Sequence, residues 1–482
     1  MTVPTGAAGA AAVSGSAGVA VPSPTVGAAR TVIENAYVAT VDALDTEHRS
    51  GHVVIEGTDI VAVGAGPAPA AWLSGASVTR VDATGHLLTP GLVNTHHHLY
   101  QWLTRGIAQD SILFDWLTAL YPIWSRITAD TVGAGALGGI AVGALSGCTT
   151  MADHHYVFPR GGGDILGSIV DAASTVGVRL HATRGSMDLG ASQGGLPPDF
   201  AVETTASALQ ASADAVARFH DPSRSALVRI AIAPCSPFSV TAELLREAAV
   251  LARSLPGSVR LHTHGSETVE EDAFCLERFG RTPTQYLDDL GWLGDDVWMA
   301  HCVHLDEPAI ARFAATGTGV AHCPSSNARL AAGIAPIPQL LAAGVPVGLG
   351  VDGAASNESG QLGTEIRMSV LVNRLRGGAT AMTGRDALRV ATLGGARVLG
   401  RDGEIGSIEV GKLADLALWK VDGVAHAGIV DPVAALTLGS QPPLALLLVN
   451  GREVVRDGEL TRVDERDVAR RVSGAVSALL GE

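Results

Sequence analysis

The chain has 482 residues and a formal net charge of −15, and 47% of its residues are hydrophobic. A chain of this length and apolar content can build one large domain plus a smaller one, which excludes general disorder. The acidic balance argues against DNA or RNA as a standing partner, because phosphate binding needs a basic surface.

The small number of lysines and the spacing of the cysteines exclude several kinds of catalytic and structural chemistry. Lys412 and Lys420 are the only lysines, which excludes a P-loop lysine and any carboxylated lysine bridging two metals in the main body of the chain. The cysteines are scattered, odd in number and never spaced C-x-x-C: Cys148, Cys235, Cys275, Cys302 and Cys323. They argue against a disulfide framework and predict a protein of the reducing cytoplasm.

The N-terminus and two long uncharged stretches are the candidates for a targeting signal or a membrane segment. Residues 1–29 carry no charged side chain and lack the basic start and unbroken apolar core of a secretory signal, so we predict a disordered tail. Residues 131–152 and 330–351 have membrane-like length, but Gly or Pro interrupts both. Buried α/β structure is the better interpretation, and we expect no membrane contact.

Short alternating runs near both ends of the chain predict β-structure. TVIENAYVATVD and GHVVIEGTDIVAVG begin the ordered chain, and GSIEVGKLADLALWK and LALLLVNGREVVRDG follow near its end. Gly-containing turns separate the runs. We expect residues 30–87 and 403–482 to form one small β-sandwich domain that brackets the middle of the chain.

The middle of the chain, residues 88–402, alternates apolar strands with helix-period stretches. The eight candidate strands end at Asn94–His98, Asp153–His155, Arg184–Ser186, Cys235–Ser236, His262–Glu267, His301–His304, His322–Ser326 and Asp352–Ser356. Eight β-α units in a segment of this length predict a (β/α)8 TIM barrel. Nearly every strand finishes in polar residues, and in a TIM barrel these strand ends meet at the mouth that holds the active site.

Three histidines and one aspartate at these strand ends predict a metal site. In NTHHHLYQ, His96 and His98 share one face of an extended segment, and two imidazoles on one face suit a zinc-type ion. The alternative is a chance run in a chain with 16 histidines. His264 can add a third nitrogen and Asp352 a carboxylate, with His262 one step deeper behind them. The coordination position left open is typical of a catalytic site.

Two further residues beside these candidate ligands can move protons or hold oxygen. Glu267, three residues after His264, can reach metal-bound water without ligating the metal. The alternative is a surface glutamate in the acidic run SETVEED. His301 in VWMAHCVHL can hold the water or the developing oxyanion. We assign His304 to loop structure and leave His322 open.

Three residues are candidates for substrate contacts. Arg184 ends the third strand and is the natural fixed cation of a mouth without lysine; the alternative is an ion pair with Asp188 or Asp199. The amide of Gln101 can pair with the edge of a heterocycle, and the alternative is a helix-start glutamine. Cys235, at the end of the fourth strand, completes the set.

One motif match is set aside, and one motif pair is missing. GLGVDG, residues 348–353, matches G-x-G-x-x-G, but AASNESG follows instead of a helix, so we predict no dinucleotide site. The H-x-E and P-C-x-x-C pair of the deaminases that edit nucleic-acid bases is absent.

The chain resembles the amidohydrolase superfamily from about Thr31 to its end. The resemblance rests on PGLVNTHHH, HTHGSE, AHCVHL, GVDGAASN and GSIEVGKLADLALW, in this order. It implies a TIM barrel with a β-sandwich from both termini, and a homo-oligomer. In the mononuclear deaminase branch it also implies one divalent metal ion, zinc or alternatively iron, held by the positions matching His96, His98, His264 and Asp352. There Glu267 acts as proton shuttle, Asp352 helps to take the proton of the water, and His301 is the partner of water or substrate.

Within that branch the chain most resembles the 8-oxoguanine deaminases, through NTHHHLYQWLTRG, ADHHYVFP, RGSMDLGASQGGLPPD and APCSPFSV. This implies hydrolytic deamination of 8-oxoguanine to urate and ammonia. Guanine deaminases share a glutamine matched by Gln101, but usually carry an arginine where this chain has residues 233–236, APCS. The 8-oxoguanine pattern usually has Leu-Ala where this chain has Gly265 and Ser266, and we expect that change to leave room for a different or larger ring.

Several alternatives stay open. The same chemistry suits isoxanthopterin, isoguanine or guanine, and the hydrolysis of chloro- or amino-s-triazines. A cyclic-amide hydrolase with two metals commonly needs a carboxylated lysine after the fourth strand, where the chain has none. A non-catalytic metal-binding protein is the third alternative, and the open coordination position argues against it.

Overall fold

The computed structural model describes residues 29–74 and 77–481. The predicted tail, residues 1–29, lies outside the described residues apart from Ala29. Within the described part of the chain, eight parallel strands close into a barrel, and strands from both ends of the chain join in a mixed sheet. The predicted fold class, a TIM barrel with a β-structure built from both termini, is therefore confirmed.

The strands are short, as expected for an α/β barrel. In chain order they are β1 (Arg30–Ala39), β2 (Glu47–Glu56), β3 (Asp59–Ala65), β4 (Val78–Asp82), β5 (His86–Pro90), β6 (Leu92–Asn94), β7 (His97–His98), β8 (Cys148–His155), β9 (Arg179–Ser186), β10 (Val228–Pro234), β11 (Arg260–Gly265), β12 (Val297–His301), β13 (Gly319–His322), β14 (Val347–Leu349), β15 (Asp352–Gly353), β16 (Leu416–Lys420), β17 (Leu444–Val449), β18 (Arg452–Arg456) and β19 (Glu459–Leu460).

Helices follow most barrel strands. They are α1 (Ala70–Leu73), α2 (Leu113–Trp124), α3 (Ala129–Leu145), α4 (Ile165–Val176), α5 (Thr205–Phe219), α6 (Ala242–Ser254), α7 (Val269–Phe279), α8 (Pro283–Asp289), α9 (Glu307–Thr316), α10 (Pro324–Arg329), α11 (Ile337–Ala342), α12 (Leu362–Gly377), α13 (Gly384–Arg389), α14 (Gly395–Val398), α15 (Pro432–Thr437) and α16 (Glu465–Leu480). Short 3-10 turns span Leu99–Thr104, Ala191–Gln193 and Asp199–Ala201, and a π-turn spans Val390–Gly394.

The barrel strands run in the order β6-β8-β9-β10-β11-β12-β13-β14, and β14 closes on β6 where Leu349 pairs with Asn94. Every residue of β8 and β9 is buried, which is typical of parallel strands covered on both faces. Beyond the closure, β7 and β15 pair with each other and extend the first and last barrel strands toward the mouth.

The terminal strands form one mixed sheet of nine strands within the described residues. Its order is β19-β18-β17-β16-β5-β1-β2-β3, with β4 added on β1. Because β5 pairs with both β1 and β16, the two ends of the chain share one hydrogen-bonded sheet. The limits 30–87, 88–402 and 403–482 stay our proposal for the domain boundaries, and β5 crosses the first of them.

A buried ion pair joins this sheet to the base of the barrel. Arg179, the first residue of β9, is fully buried, and its Nε donates to Asp415 Oδ2 at 2.7 Å. Its Nη1 also donates to the carbonyls of Ser225 and Ala226. Buried charges are tolerated when they are paired and hydrogen-bonded in this way.

The two uncharged stretches fold as barrel elements. Residues 131–152 contribute to α3 and β8, and residues 330–351 to α11 and β14. Within the ranges that the structure describes, no helix is both long enough and apolar enough to cross a membrane.

Candidate metal centre and active site

The extensions β7 and β15 bring the first candidate ligands together. His97 pairs with Asp352 in this short ladder, and the flanking His96 and His98 both bring their Nε2 atoms close to the aspartate. Asp352 Oδ1 lies 3.3 Å from His96 Nε2 and 3.2 Å from His98 Nε2. The backbone of Asp352 is left-handed, with φ of 64°, a conformation that non-glycine residues adopt mainly where the surroundings enforce it.

His264, on β11, adds the third imidazole across the barrel. His98 Nδ1 faces the carbonyl oxygen of His154 at 2.6 Å, and His264 Nδ1 faces that of Cys235 at 2.7 Å. A carbonyl only accepts, so both Nδ1 atoms must donate and both Nε2 atoms carry lone pairs. These two Nε2 atoms lie 3.1 Å apart. Two lone pairs at this distance can bind one cation.

The same reasoning determines which nitrogen of His96 carries the hydrogen. His262 Nδ1 faces the carbonyl of Trp298 at 2.9 Å and must donate to it, so His262 Nε2 accepts from His96 Nδ1 at 2.8 Å. His96 Nε2 is therefore a buried lone pair without a protein hydrogen-bond partner. The structure thus places His262 behind His96, as predicted, where it orients the candidate ligand.

The protonation states suit a divalent cation. Burial lowers the pKa of His264 to about 3 and that of His96 well below its ordinary value, so both imidazoles are neutral at physiological pH. Asp352 Oδ2 accepts from Ser326 Oγ at 2.5 Å and from Ser356 Oγ at 3.0 Å, which leaves Oδ1 for the imidazoles. Imidazole nitrogens together with one carboxylate oxygen fit a zinc-type ion.

Glu267 and His301 lie beside this set. His301 Nε2 is 3.7 Å from Glu267 Oε1 and 4.0 Å from Asp352 Oδ2, and His301 Nδ1 donates to Asn327 Oδ1 at 2.9 Å. Burial, and then the charge of Asp352, raise the pKa of Glu267 well above its ordinary value. Glu267 is therefore a buried carboxyl group that can hold a proton near neutral pH.

A small, partly open cavity of about 30 Å³ lies next to these groups. One face of α2 covers it with Leu113, Trp116, Leu117 and Tyr121, and Glu267, His301 and Asp352 line the opposite part. Within the described residues, no arginine or lysine lines this cavity. Flat apolar walls therefore face the candidate metal ligands and Glu267 across this cavity.

Two of the three predicted substrate contacts line this cavity. Gln101 is 1% exposed, and its Oε1 has no protein partner. A Cβ built on Gly353 would lie 1.7 Å from that oxygen, so the glutamine needs a glycine there. Cys235 also lines the cavity, and burial raises the pKa of its thiol to about 12, which keeps it neutral.

The structure does not bring Arg184 to the cavity. Its guanidinium makes two hydrogen bonds with Glu203, at 2.7 and 3.0 Å, and lies 3.6 Å above the ring of Phe158. It borders a separate pocket between β9 and the helices α4 and α5. The side chains of a strand alternate in direction, and this position faces the helices. The ion-pair alternative applies, with Glu203 in place of Asp188 or Asp199.

Gly265 and Ser266 also lie outside the cavity lining, which corrects the expectation that this pair enlarges the substrate space. A Cβ on Gly265 would meet Met299 Sδ at 3.2 Å and Leu287 Cδ1 at 3.3 Å, behind the barrel wall. Ser266 is a buried turn residue with φ of 52°.

The remaining histidines differ in whether they lie near the candidate ligands. His304 Nε2 bonds to the carbonyl of Ala332 in a loop, and the His322 ring lies 3.4 Å from the Asn373 amide, outside the cavity lining.

The sequence reasoning missed His154, whose ring stacks on His264 at 4.7 Å and whose nitrogen lies within reach of the candidate ligand set. Its position beside Asp153 at the end of the second barrel strand was the available signal.

The barrel and this polar cluster define a class of protein, the metal-dependent hydrolases with a (β/α)8 barrel. The model of the amidohydrolase family matches residues 87–454. The chain belongs to this family, whose members include deaminases that hydrolyse C–N bonds, and it is an enzyme of that kind.

Individual relatives are similar over nearly the whole chain. An 8-oxoguanine deaminase of Pseudomonas aeruginosa is 44% identical, covering 94% of this chain and 99% of its own length. An isoxanthopterin deaminase from an unknown prokaryotic organism is 36% identical, with 84% and 88% covered. The crystal structure of atrazine chlorohydrolase from Arthrobacter aurescens TC1, complexed with zinc, has a TM-score of 0.87 at 31% identity and covers 92% of this chain and all of that one.

Proposed function

We propose that this enzyme deaminates a free purine-like heterocycle by hydrolysis, with 8-oxoguanine as substrate and urate and ammonia as products. The observation that carries the proposal is the lining of the cavity, in which apolar and aromatic walls face Glu267, His301 and the candidate metal ligands. The similarity to an 8-oxoguanine deaminase over 94% of the chain supports the choice of ring.

The proposed ligands of one divalent ion are His96, His98, His264 and Asp352. Zinc is the proposed ion, and the nitrogen and oxygen donors also suit iron. When bound, the ion supplies Lewis-acid activation of water at neutral pH. The positions of the three imidazoles support this assignment: Nε2 of His98 and Nε2 of His264 lie 3.1 Å apart, and Nε2 of His96 is buried without a protein hydrogen-bond partner.

The side chains around the cavity have different roles in the proposed proton transfers. Water adds to the ring carbon that carries the amino group and gives up its two protons in turn: Glu267 takes the first during the attack and passes it to the ring nitrogen. Asp352 takes the second from the hydroxyl of the tetrahedral carbon, and this proton reaches the departing amine through Glu267, so that the C–N bond breaks and ammonia leaves. His301, held by Asn327, lies beside the oxygen that develops at the same carbon.

The cavity walls favour a free neutral base over a nucleoside or a charged ligand. Trp116, Tyr121, Tyr156 and Phe238 give flat apolar surfaces, and the lining contains no cationic side chain for a phosphate or a substrate carboxylate. The amide of Gln101 is placed to pair with the ring edge. We propose Gln101 and Cys235 as substrate contacts, and we no longer propose Arg184.

Related rings are the alternative substrates. Isoxanthopterin, isoguanine and guanine have similar flat edges, and the likeness to a zinc-complexed atrazine chlorohydrolase favours s-triazines as the second candidate class. Ammonia release should be measured with 8-oxoguanine, guanine, isoguanine, isoxanthopterin and an amino-s-triazine. The proposal predicts the highest kcat/KM for 8-oxoguanine. A higher value for the pterin or the triazine would reassign the substrate and leave the reaction class in place.

We also propose a cytoplasmic homo-oligomer that acts on a small molecule. The five cysteines are all free and buried, which supports a reducing compartment. Size-exclusion chromatography with light scattering measures the assembly state.

A further inference from the structure

We propose that Glu271 is a positioning residue that holds the turn carrying Glu267. This inference rests on the proposed function, in which Glu267 transfers the proton. Glu271 lies in the first turn of α7 and is fully buried. A buried carboxyl group needs hydrogen-bond partners, and Glu271 finds them in the backbone directly before Glu267.

Each oxygen of Glu271 accepts one backbone amide of that turn. The amide of Ser266 donates to Oε1 at 3.0 Å, and the amide of Glu267 donates to Oε2 at 2.7 Å. At this position of a helix, a glutamate side chain ordinarily accepts the amide of the N-cap residue, here Thr268. The carboxylate instead reaches one and two residues further back, and so fixes two successive peptide groups.

The turn needs such a restraint because its backbone is strained. Ser266 has φ of 52°, in the left-handed region that costs non-glycine residues free energy. The carbonyls of Gly265 and Ser266 accept the amides of Cys302 and His304, so this turn is also linked to the segment that follows His301. The geometry therefore connects the placement of Glu267 to Glu271 on one side and to the His301 strand end on the other.

The test is Glu271→Gln in the full-length, zinc-loaded enzyme. Glutamine has one acceptor oxygen, and its amide group would face one of the two backbone donors. We expect kcat to fall by roughly 10- to 100-fold, as for other residues that orient a catalytic group. KM and zinc content should stay within about twofold of wild type. Glu277→Gln, an exposed position on the same helix, is the matched control and should change none of these values.

Two readouts separate positioning from a general structural role. Hydrogen exchange of the amides in residues 265–268 should accelerate in Glu271→Gln and stay unchanged in Glu277→Gln. Adding Ser266→Gly should restore part of kcat to Glu271→Gln, because glycine adopts the left-handed conformation without strain. If Glu271→Gln does not fold, Glu271→Asp is used instead, since its shorter side chain cannot reach both amides.

The outcomes distinguish this inference from the proposed function through a parallel measurement on Glu267→Gln. An inactive Glu267→Gln beside a fully active Glu271→Gln with unchanged amide exchange would overturn the role of Glu271 alone. Turnover retained in Glu267→Gln would overturn the proton-transfer role of Glu267, while the exchange experiment would still decide whether Glu271 holds the turn.

Discussion

At the scale of single residues, backbone carbonyls determine which imidazole nitrogens face the centre of the site. The carbonyls of Cys235 and His154 accept from Nδ1 of His264 and Nδ1 of His98. The Nε2 atoms of both rings are left as lone pairs toward the centre of the site. The orientation of the candidate ligands therefore depends on the backbone of the neighbouring strands as well as on the histidines themselves. This explains why the residues around the ligands matter as much as the ligands themselves.

Replacing Glu267 by glutamine should separate chemistry from binding. The amide keeps the shape of the side chain but cannot carry the proton, so kcat should fall by roughly 10²- to 10⁴-fold. Zinc content and KM should change little, because Glu267 is not a proposed ligand. Steady-state kinetics together with metal analysis would check this, and wild-type turnover by the variant would remove Glu267 from the mechanism.

His262 offers a test of the proposed orientation of His96. In His262→Phe no atom accepts the hydrogen bond from His96 Nδ1, whereas in His262→Gln the side-chain oxygen can accept it. Zinc affinity should fall by roughly 10- to 100-fold in the phenylalanine variant and less in the glutamine variant. Competition with a chromogenic chelator measures both. Equal affinities in the two variants would mean that the hydrogen bond does not orient the ligand.

At the scale of elements, the strand ends were predictable and the directions of some side chains were not. Each of the eight barrel strands occurs where an apolar run ends in polar residues. Arg184 and Gly265 belong to such ends but face away from the cavity. Their direction depends on which residue of a strand first points inward, and that register is set by neighbouring strands far away in sequence.

Some elements of the site left no usable sequence signal. The extensions β7 and β15 have two residues each, too few to show a period. The roles of Asn327 and Glu271 arise from individual hydrogen bonds across strands or turns. In contrast, His96, His98, His264 and Asp352 were predicted from their places at the strand ends. In the structure Asp352 lies beside His96 and His98, and His264 lies beside His98.

Helix α2 covers the cavity, and Trp116 is the residue that tests this. Its indole Nε1 donates to the carbonyl of Ala355 at 3.2 Å, which fixes the ring above the loop that follows Asp352. A stacked base contributes about 1–3 kcal/mol on an aromatic platform, so Trp116→Ala should raise KM by roughly 5- to 150-fold. Trp116→Phe keeps a flat wall and should raise it less. An unchanged KM in the alanine variant would show that the ring does not contact the substrate.

At the scale of the whole molecule, the sheet built from both chain ends is joined to the barrel base by Arg179 and Asp415. Arg179→Met leaves Asp415 buried without its cation and should lower the free energy of unfolding by about 3–5 kcal/mol. Adding Asp415→Asn removes the uncompensated charge and should recover part of the loss. Urea unfolding of the zinc-loaded proteins measures both. A double variant less stable than the single one would contradict this account of the interface.

The central claim concerns ring, reaction and metal together, and one measurement addresses all three. The ultraviolet spectrum of 8-oxoguanine should be followed with the zinc-loaded protein and with the same protein after chelation and after zinc is restored. The account predicts conversion to the spectrum of urate with release of ammonia, loss of conversion on chelation, and recovery with zinc. Absence of conversion by a zinc-replete sample would contradict the assignment of 8-oxoguanine, and conversion unaffected by chelation would contradict the metal centre.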